Sequence, residues 1–357
     1  MLPATPVGYH GRQVATAAGG VYGLNRGAGF MRLRVAGVWL FLLALSVATN
    51  AVAGEFKWQA PDGDHVVLDF DGKPVLSYMM PKLDESSEEK RNDTFKPYHH
   101  VFSPGGETLL TKGPGGLFPH HRGLFFGFNK ITYGDGKKCD TWHCTGKTFQ
   151  SHEEVIEQEA DEDGASQIVA IDWHGQDGEV FAHEKREVDV QRAEHDGVAG
   201  WQIDFSSHLE TADGQPIHLD GDPQHAGFQF RATQQVPDKT AAETYYVRTD
   251  GKGKPGDYRN WNHDDPTAEG NAENENRPWN ALSFVVDGQR YTVVYLDHPS
   301  NPKPSRYSER DYGRFGSYFV ADVTKDQPLD VKYRIWVQPG EMTVEECAAL
   351  SQQFISK

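Results

Sequence analysis

An all-β fold, a large antiparallel β-sandwich closed by one short C-terminal helix, is what this sequence predicts. Short runs of β-branched and aromatic residues recur from Asp64 onward, apolar and polar positions alternate within them, and Gly, Pro, Asp and Asn separate them. The first such unit is HVVLDF, with DGK as its turn before PVLSYMM; SQIVAIDWHG and WQIDFSSHLE follow. ALSFVVDGQRYTVVYLDH carries an Asp287-Gly288 hairpin signal. The runs lie too close together for helices between them, and twelve or more strands are expected. Only TVEECAALSQQFISK reads as helical: Thr343 and Glu346 have capping-box spacing, and Val344, Cys347, Leu350 and Phe354 fall near one face. DESSEEKRND (84–93) and NHDDPTAEGNAENEN (262–276) read as charged surface loops.

Domain organisation follows from the N-terminal text. Residues 1–30 are Gly- and Ala-rich without a period and are expected to lie outside the mature protein. Arg32 and Arg34 precede an apolar run from Val35 to Val47, and Ala51-Val52-Ala53 follows with the small-x-small pattern of a cleavage site. Residues 31–53 therefore read as a secretory signal peptide, too short in its apolar part for a comfortable membrane span. The remaining 54–357 is expected to be a single β-sandwich domain, secreted or periplasmic.

The 357-residue chain carries a formal net charge of -17, which repels phosphate backbones and anionic lipid. That argues against nucleic-acid and membrane-surface partners and leaves neutral or cationic ligands open; a small-molecule or oligosaccharide partner is expected, and no stable membrane insertion, since the apolar run is short. Of three cysteines, Cys139 and Cys144 are close enough in sequence to close a short loop as a disulfide.

Chemistry concentrates in GPGGLFPHHRGLFFGF, where His120, His121 and Arg122 lead into an apolar strand. On a strand His120 and Arg122 would face one side and His121 the other. CDTWHC adds Trp142 and His143, HLDGDPQHAGFQFR adds His225, and YLDHPSNP adds Asp297 and His298. SERDYGRFG contributes Glu309, Arg310 and Tyr312, and KPYHHVF a second pair, His99 and His100. Imidazole serves as metal ligand or as general acid and base, and Arg122 as a grip on a carboxylate or hydroxyl. No HxH, HExxH or CxxC spacing fixes a metal geometry, no Gly-rich loop opens a helix, and no GxSxG elbow is present. Interleaved aromatics, among them Phe118 and Trp142, suit a sugar ring.

PHHRGLFFGF, DTWH, HAGFQFR, LDHPSNP, RDYG and LDVKYRIWVQPGE, in that order, resemble the secreted PmoA-like family labelled "methane oxygenase PmoA", over roughly Val66 to Gly340. A methane-oxidising membrane subunit would need long apolar helices, and the one apolar run here is the signal. The resemblance implies instead a galactose-mutarotase-like sandwich and carbohydrate chemistry of the epimerase, lyase or hydrolase type. By role His121 or His225 would then be the acid and Asp297 or Glu309 the base. Arg122, Trp142, His298, Arg310 and Tyr312 would bind substrate. A second reading is a metal-dependent oxidoreductase, with His120, His121, His143 and His225 holding a divalent metal such as copper or iron as cofactor. The third is a non-catalytic sugar-binding module.

Overall fold

In the computed structural model, residues 54–356 are described, and they form three antiparallel sheets of eight, nine and four strands. The expected signal peptide at 31–53 lies outside the described residues. Alternation in sequence becomes alternation in burial: His65–Phe70 buries every second residue, and so does Ala165–His174. Both expected hairpin turns are present. Asp71 and Gly72 have φ of 51° and 75°, and Asp287 and Gly288 have 50° and 78°, the paired positive values of a type I′ turn.

The eight- and nine-stranded sheets pack face to face. Phe205 of the strand Val198–Thr211 stacks on Phe228 of Ala226–Arg231 at 4.2 Å between ring centroids, and Phe126 of Leu124–Phe128 meets Trp173 of Ala165–His174 at 5.8 Å. Side chains from all three sheets share this core. Each fully buried aromatic there contributes about 1.5–3 kcal/mol. The outer face of the nine-stranded sheet carries its own cluster, in which Trp279, Leu296 and Trp336 receive Cys347, Leu350 and Phe354 of the C-terminal helix Val344–Ile355. Its capping box is formed as its sequence predicts, with Thr343 Oγ1 accepting from Glu346 N at 3.2 Å and Glu346 Oε2 from Thr343 N at 2.6 Å.

One expectation needs correction, and one question left open by the sequence is answered. The stretch 84–93 is not wholly loop: Glu88–Thr94 is a helix, capped by Ser87 Oγ accepting from Lys90 N. It has no buried residue, so no apolar period announces it. Arg91 ties it down through hydrogen bonds to the carbonyls of Cys144 and Thr148, both at 3.0 Å. The cysteines are all buried and free, and Cys144 Sγ lies against the Thr141 carbonyl at 3.3 Å instead of bonding Cys139. Among the described residues no helix is long and apolar enough to cross a membrane.

Candidate metal centre

The outer face of the eight-stranded sheet differs from its inner one. Leu124, Phe126 and Phe128 point to the shared core, while Phe125 joins Tyr98 and Trp142 in a separate outer cluster. Across the register from Phe125 lies Gln229, and across from Gln229 lies Gly316. The glycines keep this face low. A Cβ on Gly127 would come within 2.8 Å of the Phe125 ring, and one on Gly316 within 2.4 Å of the Phe228 carbonyl. Three non-strand segments fold over the resulting trough, and each brings histidine.

The first segment enters through Lys112, whose backbone N–H donates to Arg231 O and whose carbonyl accepts from Gly123 N. Gly115 and Gly116 turn the chain with φ of 77° and 63°, and a turn from Phe118 O to His121 N follows. Regular strand begins only at Leu124. His120 and His121 are therefore not on opposite faces as strand geometry would have them; in the turn their rings lie 4.4 Å apart.

The second and third segments use one device twice. Asp140 Oδ1 accepts from Trp142 N and His143 N, and its Oδ2 accepts from His143 Nδ1 at 2.8 Å. Asp222 Oδ1 accepts from Gln224 N, and the carboxylate takes His225 Nδ1 at 2.9 and 3.1 Å. Asn129 braces this second carboxylate at 2.6 Å. Each Asp fixes its turn and the tautomer of its histidine, turning Nε2 away from the brace.

The four rings converge. His143 lies 4.5 Å from His120 and 4.5 Å from His225, His120 lies 5.3 Å from His225, and His121 stacks on His225 at 5.2 Å with 17° between planes. One nitrogen from each of His120, His121 and His225 falls within 4.8 Å of the others. His120 Nε2 and His121 Nδ1 are buried and have no hydrogen-bond partner. Buried imidazole nitrogens without partners are costly unless something else takes the lone pair.

Electrostatics favour neutral, ligating imidazole. Burial, then His143 and Lys96, push His120 down to about 2. Burial, then Arg314 and His120, hold His121 well below the usual range. Burial lowers His225 as well, against the pull of Asp222. Burial alone would raise Asp222, but the hydrogen bond and charge of His225, with Gln224 N and Asn129, keep it far below an ordinary carboxylate.

Of the other residues singled out from sequence, three border the cluster. Trp142 is 5.7 Å from His121, Tyr312 is 6.1 Å from it, and buried Arg122 lies over Phe95 and Tyr98 with Nη2 on Asn92 O. The rest engage elsewhere. Asp297 accepts from Asn301 and Lys303, both at 2.7 Å, and His298 packs on Phe354 of the C-terminal helix at 5.2 Å. Glu309 is fully buried among Arg248, Arg277, Asn280 and the Arg259 N–H, and Arg310 lies over Tyr258. His99 lies 4.9 Å from Tyr78, and His100 bonds Thr111 and packs on Tyr98; among the described residues neither ring pairs with the four. Neither carboxylate named as a base contacts a histidine of the cluster; the acids that do, Asp140 and Asp222, went unread although D-x-x-H occurs in both segments.

A second grouping, Glu153, Asp172 and His174, is less suited to a metal. His174 has both ring nitrogens engaged, with Ser151 Oγ and Gly178 O.

Residues 65–352 match a family described as "Family of unknown function (DUF6807)", and the chain belongs to it. The description says nothing of PmoA. No curated protein matches the chain.

Proposed function

We propose that this member of the DUF6807 family is a metal-dependent enzyme, with one divalent transition-metal ion held by His120, His121 and His225 and with His143 as a fourth imidazole at the site. The observation that carries this reading is the pair of carboxylate-braced histidines facing two buried, unpartnered imidazole nitrogens. A carboxylate that accepts the outer N–H of a metal-bound histidine orients the ring and raises its basicity. An all-nitrogen set suits copper, iron or zinc, with metal–nitrogen distances of about 2.0–2.1 Å. When bound, such an ion supplies Lewis acidity or one-electron chemistry at a substrate oxygen. The chain's own residues do the rest: Asp140 and Asp222 hold the ring tautomers, Trp142 and Tyr312 wall the site, and Phe118, 40% exposed, offers a flat apolar face at its mouth.

That aromatic rim also supports a sugar ring as the body of the substrate, and an exported location belongs to the same proposal through the signal pattern at 31–53. Metal-free acid–base catalysis on a sugar is less well served. The carboxylates at the cluster are engaged with histidines, and the depressed imidazoles are poor proton donors near neutral pH.

Elemental analysis of purified protein, before and after reconstitution with copper, iron and zinc, tests the proposal. About one equivalent of one metal is expected, lost in His121→Ala and His225→Ala. Content well below one equivalent after every reconstitution rejects it.

A further inference from the structure

Beside the histidines lie five cationic side chains, Lys96, Lys112, Arg122, Arg231 and Arg314, each between 0 and 3% exposed. Their hydrogen bonds go to neutral groups. Lys96 donates to the carbonyls of His120 and Trp142, Lys112 to Gly113, Arg122 to Asn92, Arg231 to Ala232 and Tyr312, and Arg314 to Pro223, Gln229 and Ser308. Among the described residues none of the five pairs with a carboxylate. By contrast, the buried arginines Arg186 and Arg248 elsewhere in the fold each pair with a buried glutamate.

Lys112, Arg122 and Arg231 are held together by the backbone. Lys112 N–H donates to Arg231 O, Arg231 N–H to Gly123 O, and Gly123 N–H to Lys112 O. Arg122 Nε and Nη1 and Arg231 Nε and Nη2 are buried with no acceptor. Arg231 lies over Tyr312 at 4.7 Å, the ring that borders His121, and Arg122 directly follows that histidine. Burial, then the charges of Arg122 and Arg231, pull the Lys112 ammonium down to about 7, so the three groups lack solvation and lie close enough for both guanidinium charges to act on Lys112. Such a set is costly without a counter-ion, and guanidinium donors match the two oxygens of a carboxylate or phosphate.

We propose that the substrate is a small oxyanion, a carboxylate or phosphate ester, whose charged end is held by Lys112, Arg122 and Arg231 while its reacting end faces the histidines. This deepens the metal-enzyme reading of the same site and rests on it for the chemistry, though not for the binding. An anionic ligand agrees with the expectation that Arg122 grips a carboxylate: local cations at the site outweigh the mean charge of the surface.

Calorimetric titration of the full chain with oxalate, D-glucuronate, inorganic phosphate and uncharged D-glucose, at matched ionic strength, tests the proposal in metal-loaded and chelator-treated protein. At least one oxyanion is expected to bind at least tenfold more tightly than glucose; glucuronate or oxalate against phosphate identifies the headgroup. Lys112→Gln should weaken that binding at least tenfold with metal content unchanged. With no anion present, the same variant should unfold at a higher temperature than wild type, because an unpaired buried charge has been removed; a merely structural lysine would give the opposite sign. Arg122→Gln is the companion variant, and if it does not fold, Lys112→Gln decides.

Failure of every oxyanion to bind overturns the proposal, as does unchanged affinity in Lys112→Gln. Oxyanion binding that needs metal and ignores Lys112 removes the pocket and leaves the metal centre standing. Lys112-dependent binding to a protein that takes up no metal leaves the pocket and removes the metal reading.

Discussion

Asp222 accepts the Nδ1–H of His225 across 2.9 Å, and the same two-residue gap separates Asp140 from His143, whose Nδ1 lies 2.8 Å from its own carboxylate. Two segments far apart in the chain thus present histidine in one way, each with Nε2 turned from its brace. Nothing in sheet packing demands that repetition. A shared task for the two rings would account for it.

If that task is ligation, Asp222→Asn should weaken metal affinity by about 10- to 100-fold while leaving one-equivalent capacity at saturating metal. The amide keeps the shape of the turn but not the charge that orients and polarises the imidazole. A competition titration against a calibrated chelator reads the constant directly, and unchanged affinity would make the Asp222–His225 contact a purely structural one.

How far the sequence reaches is instructive at this site. The period-2 pattern in HVVLDF and SQIVAIDWHG locates strands because burial is a local consequence of the pleat. The histidines themselves were legible, yet their arrangement was not: the site sits over a sheet face lowered by Gly127 and Gly316, and no local pattern says that segments 111–122, 139–144 and 222–225 meet there. Asp297, His298 and Glu309 looked like site residues because they end or sit in strands near other polar groups. Their partners, Lys303, Phe354 and Arg248, are what assign them, and a partner is a fact of three dimensions. The unpaired state of Arg122 and Arg231 was hidden for the same reason. Only the twin D-x-x-H spacing, Asp140 to His143 and Asp222 to His225, is a local signal of the braces.

Away from the site, Asp189 on Val180–His195 stands opposite Asp204 of the neighbouring strand, near Glu187. Burial, then Glu187 and Asp204, raise it to about 6. Its folded value exceeds the unfolded one of about 3.9, so the unfolded chain ionises first as pH rises. The contribution of Asp189 to stability is fullest below about pH 4, falls between about 4 and 6, and is level above that. Asp189→Asn should therefore raise the thermal midpoint at pH 7, by an amount equivalent to on the order of 1 kcal/mol after solvent screening, and leave it unchanged near pH 4. Equal shifts at both pH values would show that the effect is not ionisation.

The C-terminal helix offers a second measure of local stability. Thr343→Ala removes the acceptor for Glu346 N and should cost about 1 kcal/mol in denaturant unfolding. Thr343→Ser should recover most of it, since the hydroxyl is retained. Metal content should not change in either variant, because the helix packs on the far sheet.

Glu309 separates a structural acid from a catalytic one. Its carboxylate accepts from Arg248 at 2.5–3.1 Å, from Arg277 at 3.2 Å, from Asn280 at 2.9 Å and from the Arg259 N–H at 2.9 Å. Every lone pair is in use and the group is fully buried, so it has no capacity to take a proton from substrate. Removing its charge leaves two guanidinium groups without their counter-ion in the interior. Glu309→Gln should accordingly lower stability by about 3–5 kcal/mol, the range for breaking one side of a buried ion pair. The folded fraction that remains should bind metal and oxyanion as wild type does, since none of its hydrogen-bond partners belongs to the histidine cluster. A general base would give the reverse pattern: normal stability and lost turnover. Denaturant unfolding measured beside metal content and oxyanion titration on the same preparation distinguishes the two, and a stable Glu309→Gln protein with impaired ligand chemistry would return this residue to the site.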